Sequence, residues 1–560
     1  AEFNLTKIYN SIPYFKRVSE AKINAKKPTK KTKSSKEKAK EPEQAKKEED
    51  KKKTKTKGQI SIPEMLFVRP LFSLRRVSAT IGQRHETTIP GFMERPKYFG
   101  MYWGDGKPEP GWDFIFGNQP DLRDWLEWAA SKDNYMLTTN RSLNTQVRQT
   151  MANTISLKAN LEPYPDLKID LTATLNHNRN HSEFFKVDTA ANNQKAFQHL
   201  SKMDVGSYTI SYYALNTMFD SVDDSTKVSE TFKIFEKNRP IISKRWAELN
   251  PNPDIIHYSK LDSQDVNGFF EGYGPYSQDV LTPAFIAAYT KKSAEKVNLN
   301  PFNGMPKPNW RVTYSGLGKL PLFNRAFNSI NLTHSYTSTL TISNYRNNLI
   351  FDDRYYDQNL VIINENGLID YIVNENIRLA EISDLDTLTG NYFSYYQIPQ
   401  ILINEQMAPL AGIDATWVFG LTTRVEYKKG RTLGMSFQDY QLSEAKTEEF
   451  TIGVGYKFPK MTMPFKFGKK KLELNNDLTF NFDFSVRDNL TVNYRLDQGV
   501  SEVTAGMKTI RIAPSLDYVI NNRLRISLFY ERQKNIPALT TSYPITSSKG
   551  GIRLNYTLGG

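Results

Sequence analysis

A strict alternation of side-chain character over residues 477–488, DLTFNFDFSVRD, is the feature that most limits what this chain can fold into. A period of two places successive side chains on opposite faces of a β-strand. One face here would be apolar and the other polar, with the members Leu478, Phe480, Phe482, Phe484 and Val486 against Thr479, Asn481, Asp483, Ser485 and Arg487. The segment therefore predicts a strand with one apolar face that something other than water must cover.

The same period recurs along the chain and predicts about thirteen strands. They lie near 66–84, 150–162, 167–185, 203–216, 309–318, 326–343, 398–417, 421–442, 446–459, 471–497, 506–520, 522–535 and 548–558. Tight turns at EPYPD (162–166) and at Asn521-Asn522 indicate antiparallel hairpins. Consecutive strands of a barrel should alternate in direction, but strands 203–216 and 309–318 would run in the same direction. A further strand is therefore expected between 217 and 308, and a total of about fourteen strands would restore an even number. Pro514 inside a strand predicts a bulge or an edge.

Helical sequence is scarce and falls in long connections, over about 85–147, 217–307 and 344–395. Helices are predicted at 120–132, near 228–249 and at 282–292. No helix follows each strand in the βαβ manner, so no helix layer is available to cover the apolar strand faces. Strands of 15 to 20 residues are also long for a sandwich. Lipid is the expected cover for Phe480, Phe482 and Phe484.

Membrane helices are excluded, since no stretch approaches the roughly 18 consecutive apolar residues that they need. Membrane strands need only about 10 residues, half of them facing lipid. A hydrophobic content of 39% with 12% aromatic residues is compatible with such strands, because barrels place aromatic residues at both membrane interfaces. The predicted fold class is all-β: an antiparallel transmembrane β-barrel, of which about 13–14 strands lie here, with long, partly helical loops.

Charge and cysteine content exclude several function classes. The chain has no cysteine, which excludes disulfides, thiolate catalysis and thiolate metal sites and fits an exported protein. Most of its net charge of +14 comes from Lys22–Lys57, where 16 lysines face 6 acidic residues. This segment, about 22–58, is predicted to be a disordered tether; contact with anionic lipid or an acidic partner is the alternative. Nucleic-acid binding would call for interleaved aromatic residues, and none occur there.

Candidate chemical groups are few, and the sequence predicts that the chain is not an enzyme. Serine-hydrolase, nucleotide-binding and metalloprotease motifs are absent. His177 and His181 share a strand face, but a polar strand end is the favoured interpretation over a metal site. The acidic pairs Asp223-Asp224 and Asp352-Asp353 are interpreted as solvated, with loop calcium as the alternative. A possible helical stripe of Leu122, Trp125, Leu126 and Trp128 is interpreted as a loop packing on the barrel mouth, or, more boldly, as a contact for cargo or a partner. No catalytic, cofactor or metal residue is assigned.

Several long motifs resemble the C-terminal part of the SprA/Sov family. They are TKIYNSIPYFKRV before the lysine-rich insert, IPGF (89–92), PGWDFIFGNQPD (110–121), LEPYPDLKIDLTA (161–173), SQDVLTPAFIAAYT (277–290), NWRVTYSGLGKLPLF (309–323), LAGIDATW with LTTRVEYKKGRTLGMSF (410–437), and LDYVINNRLRISLFYER (516–532). The motifs are irregular and extend from one end of the chain to the other. The chain departs from the usual barrel C-terminus, since it ends Leu558-Gly559-Gly560 and not on an aromatic residue.

The resemblance implies a segment of the outer-membrane translocon of the type IX secretion system, a very large barrel through which folded cargo leaves the periplasm. The chain is expected to consist of a periplasmic segment at 1–21, the lysine-rich loop at 22–58 and barrel wall over 59–560. Bacterial barrels have short turns on the periplasmic side, and counting back from the C-terminal strand by this rule places the C-terminus and the lysine-rich loop in the periplasm. Partners implied by the resemblance are a PorV-like shuttle barrel, a plug protein, periplasmic accessory proteins, the rest of the barrel and the secreted cargo; membrane lipids and lipopolysaccharide are expected around the barrel. A self-contained porin-like transporter and a soluble all-β adhesin remain alternatives.

Overall fold

The fold is all-β and antiparallel, built on one sheet of fifteen strands. The computed structural model describes residues 2–14, 16, 73–104, 107–131, 134–189, 195–220, 223, 228–249, 268–302, 304–348, 360–363, 369–373, 385–386, 388–467, 470–474, 476–521, 523–539 and 541–557. The strands are β1 (Glu2–Asn4), β2 (Leu74–Thr88), β3 (Tyr102–Gly104), β4 (Lys107–Glu109), β5 (Val147–Leu161), β6 (Leu167–Thr189), β7 (Lys195–Ser211), β8 (Asn309–Tyr314), β9 (Phe327–Asn347), β10 (Leu360–Ile363), β11 (Ile369–Val373), β12 (Tyr396–Gln397), β13 (Gln400–Trp417), β14 (Leu421–Ser436), β15 (Gln441–Phe458), β16 (Met461–Phe467), β17 (Lys470–Leu474), β18 (Leu478–Arg495), β19 (Val500–Val519), β20 (Leu524–Pro537) and β21 (Ile545–Tyr556).

The main path through the sheet follows the order of the chain. It runs β1-β2-β5-β6-β7-β9-β13-β14-β15-β18-β19-β20-β21, while β8 and β12 pair beside it, and β3-β4, β10-β11 and β16-β17 form separate hairpins. Each of the thirteen predicted strands corresponds to a strand of the structure, with ends that differ by up to eight residues, so the prediction of an all-β antiparallel fold is confirmed. The first of them is described from residue 73 onward.

Strands β7 and β8 occupy one position in the sheet, between β6 and β9. β6 pairs with β8 over Leu167–Thr172 and with β7 over Leu175–Thr189, and β9 pairs with both in the same way. The two strands therefore run in the same direction because together they form one interrupted strand. The expectation of a further strand between 217 and 308 was wrong: the described part of that range forms helices, and the interruption itself accounts for the count.

Polar side chains complete the hydrogen bonding where the shared strand is interrupted. The Ser211 hydroxyl accepts a hydrogen bond from the Thr174 backbone N–H at 2.9 Å, and the Asn309 side-chain oxygen accepts one from the Ser338 backbone N–H at 2.8 Å. The Lys307 N–H also donates to the Ser211 carbonyl at 2.9 Å. Because buried backbone groups need partners, these contacts supply partners for backbone groups where the chain leaves the sheet and returns.

Pro514 lies in an interior strand with regular register. It is opposite Phe482 of β18, and β19 continues to pair with β20 on its other side, at Ile512↔Arg532 and Ser515↔Phe529. Only the ladder contacts of Ala513 and Pro514 with β20 are missing. The predicted bulge or edge was therefore wrong: the missing proline N–H is accommodated by a local gap in one ladder.

The two ends of the sheet have different neighbours. β21 pairs with β20 along Leu524–Asn535, and β2 pairs with β5 and, over Arg76–Ser78, with the short β1. Within the described residues, no pairing joins β21 to β1 or β2. The sheet is consequently open at both edges in the part of the chain that the structure describes.

Among the described residues, five α-helices lie in the connections and at the N-terminal end. They are α1 (Leu5–Ser11), α2 (Trp112–Phe116), α3 (Arg123–Ala130), α4 (Glu230–Leu249) and α5 (Gln278–Tyr289). The three predicted helices are confirmed, and α5 begins four residues earlier than expected. None of the described helices is both long and apolar enough to cross a membrane.

Two segments between strands pack on the sheet as compact units. The segment of residues 89–146, between β2 and β5, is called the β2–β5 segment here, and that of residues 212–308, between β7 and β8, the insertion. Helix α5 of the insertion is buried along almost its whole length, with Leu281, Phe285 and Tyr289 fully buried. The lysine-rich run lies outside the described residues, as does most of the connection between β9 and β12.

Candidate functional site

The sheet has an apolar face and a polar face, and the strand register fixes which residues belong to each. One row of directly opposed residues crosses the six C-terminal strands of the path: Leu421, Tyr456, Phe480, Leu516, Leu528 and Ile552. A neighbouring row on the opposite face consists of Glu426, Thr451, Ser485, Arg511, Gln533 and Ser547. Side chains alternate strictly between the faces, so the predicted facing of residues 478–487 is confirmed.

The apolar face carries a continuous band at the end of the sheet near the 418–420 and 520–523 turns. Its N-terminal part includes Val77, Ala159, Leu171 and Trp310, which oppose one another across β2, β5, β6 and β8. On β18 the band extends from Leu478 to Val486, ~26 Å along the strand at ~3.3 Å per residue. This length is close to the roughly 25 Å apolar band of membrane barrels before strand tilt is allowed for.

Large apolar side chains of this band are exposed. Leu528 is 48% exposed, Ile552 69% and Leu554 65%. In the described part of the chain, none of the three buried clusters contains Phe480, Phe482 or any of these side chains. A large antiparallel sheet with one apolar, uncovered face and one polar face has the residue pattern of a membrane β-barrel wall.

A charged row ends the apolar band on β14, β15, β18 and β19. Lys429, Glu448, Asp488 and Lys508 oppose one another directly on the apolar face, and Lys429 Nζ lies 2.9 Å from Glu448 Oε1. Charged groups are costly in hydrocarbon and pair or reach toward water at its boundary. The row therefore marks the boundary between the apolar band and the part of the same face that lies beyond it.

Beyond the charged row, the insertion covers the apolar face. Its side chains form one buried cluster with residues of β9, β13, β14, β15 and β18 that belong to this face: Leu340, Ile342, Ile401, Ile403, Leu433, Met435, Leu442, Val492 and Tyr494. The Phe232 ring of α4 stacks on the Tyr494 ring with centroids 4.2 Å apart. The apolar face thus has two parts: the part beyond the charged row is covered by the insertion, and the band on the other side of the row is bare.

A buried ionic network fixes the insertion to the sheet. Arg431 of β14 forms a doubly hydrogen-bonded ion pair with Glu405 of β13, and both side chains are at most 3% exposed. The guanidinium also donates to the Thr217 carbonyl and hydroxyl, each at 2.7 Å. The Tyr336 hydroxyl donates to the other Glu405 oxygen at 2.7 Å. Arg431 therefore connects two strands with the start of the insertion in a site that excludes water.

The polar face is lined with hydrogen-bonded and ionic pairs. Arg424 lies 2.6 Å from Asp414, and Arg511 lies 3.0 Å from Glu531, which also pairs with Lys549 at 3.2 Å. The buried clusters that the insertion and the β2–β5 segment form with the sheet do not lie on this face. Alternating charges of both signs give a well-hydrated surface suited to contact with water.

The β2–β5 segment packs on the apolar face beside the insertion. Arg123 of α3 lies 3.7 Å from the buried Glu183 of β6, and His199 Nδ1 lies 3.2 Å from the same carboxylate. His181 Nδ1 is 2.9 Å from Asp204 Oδ1. His181 thus has two acidic neighbours, Asp204 of β7 and, with Nε2 and Oε1 3.7 Å apart, Glu183 of its own strand.

His177 has a different environment from His181. Its Nε2 lies 2.6 Å from the Tyr345 hydroxyl, and its ring stacks near Phe302 of the insertion. Within the described residues, no group of three or more histidine, aspartate or glutamate side chains is arranged to hold a metal ion. Both histidines lie within β6 and not at a strand end, and their contacts join β6 to β7, β9 and the insertion.

The remaining candidate residues fall in connections. Trp125 and Leu126 pack in the β2–β5 segment, where the Trp125 indole donates to Glu109 at 2.8 Å and Leu126 is fully buried, while Trp128 is 42% exposed. The interpretation as loop packing therefore fits three members of the stripe, since Leu122 is buried as well. Asp224 and the pair Asp352-Asp353 lie outside the described residues. The Asp223 backbone N–H donates to the Val228 carbonyl before α4.

Docking of the insertion is expected to weaken as pH rises from about 4 to about 6. Burial raises the pKa of Asp279, in the first turn of α5, from 3.8 to about 6, against the opposing effect of the hydrogen bond from the Ser394 hydroxyl. Between these two values the folded state holds a proton that the unfolded state releases, so stability falls with pH and is level above about 6. Replacing Asp279 with Asn should remove a destabilisation of about 3 kcal/mol at pH 7.5.

Urea unfolding of the insertion at pH 4.5 and pH 7.5, followed by tryptophan emission, measures this effect. Trp246 is a suitable reporter because its indole donates to the Asp279 carbonyl at 2.8 Å. Glu248→Gln is the matched control, since Glu248 is an exposed acid of the same insertion. An Asp279→Asn protein with the pH dependence of the parent would contradict the assignment.

Comparisons with known proteins give no family assignment. No protein-family model matches the chain, and no curated protein matches it. Among solved structures, a loop L8 deletion mutant of OmpT, an outer membrane protein of Vibrio cholerae, is similar at 8% identity and a TM-score of 0.17, over 73% of this chain and 96% of that one. A likeness at this level carries no argument about fold or function.

Proposed function

We propose that this chain forms part of the wall of an outer-membrane barrel that conducts folded proteins from the periplasm to the cell surface, as in type IX secretion. The observation that carries the proposal is the two-faced sheet, with a bare apolar band on one face and paired charges on the other. The apolar band faces lipid, and the polar face lines an aqueous passage.

Lipid is the cover that best accounts for the bare band. Exposing Leu528, Ile552 and Leu554 to water would forfeit about 25 cal/mol for each Å² of apolar surface. The band is also continuous across twelve neighbouring positions of the sheet, from β2 to β21. A soluble adhesin would need a second sheet over this face, and in the described part of the chain the long segments cover the region beyond the charged row and the side chains of Trp310 and Leu410.

The open edges favour a barrel larger than this sheet. An unpaired edge in hydrocarbon leaves backbone N–H and C=O groups unsatisfied, at several kcal/mol each. β2 beyond Ser78 and β21 along its length present such edges among the described residues. Further strands at both edges would satisfy them, which favours a shared large barrel over a self-contained porin-like transporter.

The assignment to type IX secretion rests on the resemblance of the loop and turn motifs to the SprA/Sov family. Under this proposal the partners are a PorV-like shuttle barrel, a plug protein, periplasmic accessory proteins, cargo and the rest of the barrel. The 418–420 and 520–523 turns and the lysine-rich segment lie on the periplasmic side. The chain supplies a passage and no reaction, and cargo movement draws its energy from elsewhere.

Single cysteines test the two faces, because the chain contains no cysteine of its own. In the membrane-embedded protein, Ser485→Cys on the polar face should react with a water-soluble, membrane-impermeant maleimide. Phe484→Cys, its neighbour on the apolar band, should be protected and should react only after the membrane is dissolved. Equal reaction at both positions would overturn the facing and with it the conduit.

Disulfide trapping between the two edges tests the larger barrel. A pair of cysteines at Ile81 of β2 and Ile552 of β21, both on the apolar face, is not expected to cross-link within one chain in the membrane. A matched pair across the β20–β21 ladder, at Leu528 and Ile552, serves as the positive control because these residues oppose each other. Efficient cross-linking of the first pair would favour the self-contained barrel.

A further inference from the structure

An exposed aromatic cluster lies in the β2–β5 segment, within the PGWDFIFG motif and the residues before it. Trp112 is at its centre, with ring centroids 5.8 Å from Phe99, 6.0 Å from Trp103 and 5.8 Å from Phe116. Phe99 is 68% exposed and Phe116 75%. Tyr98, beside them in sequence, is 72% exposed. Large aromatic rings gathered at a surface and left open to solvent mark an interaction site.

Part of this cluster has a strained backbone. Phe99 has a φ of +56°, in the left-handed region that bulky residues rarely adopt. The Phe99 side chain is 68% exposed in this unfavourable conformation. Strained residues persist where the surroundings determine them, and they cluster at binding sites.

The cluster has a defined position relative to the sheet. The Gln119 side chain donates to the Glu86 carbonyl of β2 at 3.1 Å and to the Thr150 carbonyl of β5 at 2.7 Å. Gly117 lies against His85, which shares the apolar face with Ile81 of the band. His85 is four residues beyond Ile81, ~13 Å along the strand. The aromatic cluster therefore lies on the apolar face just beyond the bare band.

We propose that this aromatic cluster is an interfacial anchor that inserts into the outer leaflet of the membrane, at the level of the lipid headgroups. The proposal rests on the proposed function, since it takes the apolar band as the lipid-facing surface. The cluster continues that band on the same face and at its upper boundary, where membrane proteins concentrate Trp and Tyr.

The composition around the cluster fits a lipid surface. Arg95 and Lys97 are exposed and immediately precede Tyr98 and Phe99. Aromatic rings with adjacent cations suit a layer that combines acyl chains with anionic headgroups. Asp113, the acid within the motif, is hydrogen-bonded by the Asn118 amide at 2.8 Å. The cluster thus differs from the insertion, which buries its aromatic rings against the sheet.

Nitroxide labels at single cysteines measure the depth of the cluster. The protein, purified with its co-purifying chains, is placed in phospholipid nanodiscs, and collisions of each label with oxygen and with a water-soluble nickel complex are compared. Phe116→Cys and Tyr98→Cys test the cluster. Leu554→Cys, 65% exposed on the band, is the lipid control, and Leu388→Cys, 93% exposed in a different connection, is the aqueous control.

Labels at 116 and 98 are expected to favour oxygen over nickel, as the label at 554 does, with the reverse at 388. Aqueous behaviour at 116 and 98 together with lipid behaviour at 554 would overturn the anchor and leave the proposed function standing. Aqueous behaviour at 554 as well would overturn the proposed function. Protection from both collision partners at 116 would indicate a protein contact in place of lipid and would also overturn the anchor.

Discussion

Replacing Arg431 with Ala is expected to detach the insertion from the sheet and to cost about 3–5 kcal/mol of stability. The change leaves the Glu405 carboxylate buried without its cation and removes the donors to the Thr217 carbonyl and hydroxyl. A buried charge without a partner is among the most destabilising defects in a folded protein. Urea unfolding of the insertion, followed by tryptophan emission and by protease cleavage within residues 212–308, measures the loss.

Arg424→Ala is the matched control on the same strand. Arg424 also pairs with a carboxylate, that of Asp414, but it lies on the polar face, and its side chain is 62% exposed. Exposed ion pairs contribute about 0–1 kcal/mol, so this variant should unfold close to the parent protein. The double variant Arg431→Met with Glu405→Leu removes both charges and should recover much of the stability. Equal effects of the two alanine variants would show that burial of the network does not matter.

Replacing Phe482 with Asp is expected to impair membrane assembly by roughly 2 kcal/mol or more, because it places a carboxylate in the middle of the lipid-facing band. Phe482 lies between Val454 of β15 and Pro514 of β19, so no cation stands directly opposite it. The expected result is a smaller folded fraction in liposomes, measured by the heat-dependent shift in electrophoretic mobility and by resistance to protease.

Ser485→Asp is the control for this change because it introduces the same carboxylate on the polar face. Ser485 is opposite Arg511, so the new charge has a cation within reach. Asn481 is a poorer choice, although it is adjacent to Phe482, since its amide donates to Asp517 at 3.2 Å and an aspartate there would place two acids together. If Ser485→Asp impaired assembly as much as Phe482→Asp, the bare band would not face lipid.

The long strands could be predicted because their periodicity is a local property. The alternation over 478–487 predicts both the strand and its facing, since a slip of one residue would expose every apolar side chain to the wrong surroundings. The helices near α3, α4 and α5 were predictable for the same reason. Interruption of one strand by the insertion was not, because β7 and β8 become neighbours only through their shared pairing with β6 and β9.

The ionic networks were missed although a signal for them exists. Glu405 follows Ile401 and Ile403 at the same alternate positions of β13, and Arg431 precedes Leu433 and Met435 on β14 in the same way. A charged residue that shares a strand face with apolar residues at alternate positions predicts a buried side chain with an ionic partner. Its partner cannot be identified from sequence, since the pairing depends on register and on the return of the chain from the insertion.

The shared position of β7 and β8 has a consequence for how the protein assembles. Placing β7 and β8 at one position in the sheet closes a loop of residues 212–308. For a flexible loop of this length, the entropic cost of closure is roughly 4 kcal/mol. A short strand such as Asn309–Tyr314 offers few hydrogen bonds against that cost. The helices α4 and α5 bury their side chains in one cluster with residues of the sheet, so the insertion and the wall stabilise each other. Closure of the wall at β8 is therefore coupled to folding of the insertion, and a defect in either helix is expected to leave a gap beside β7.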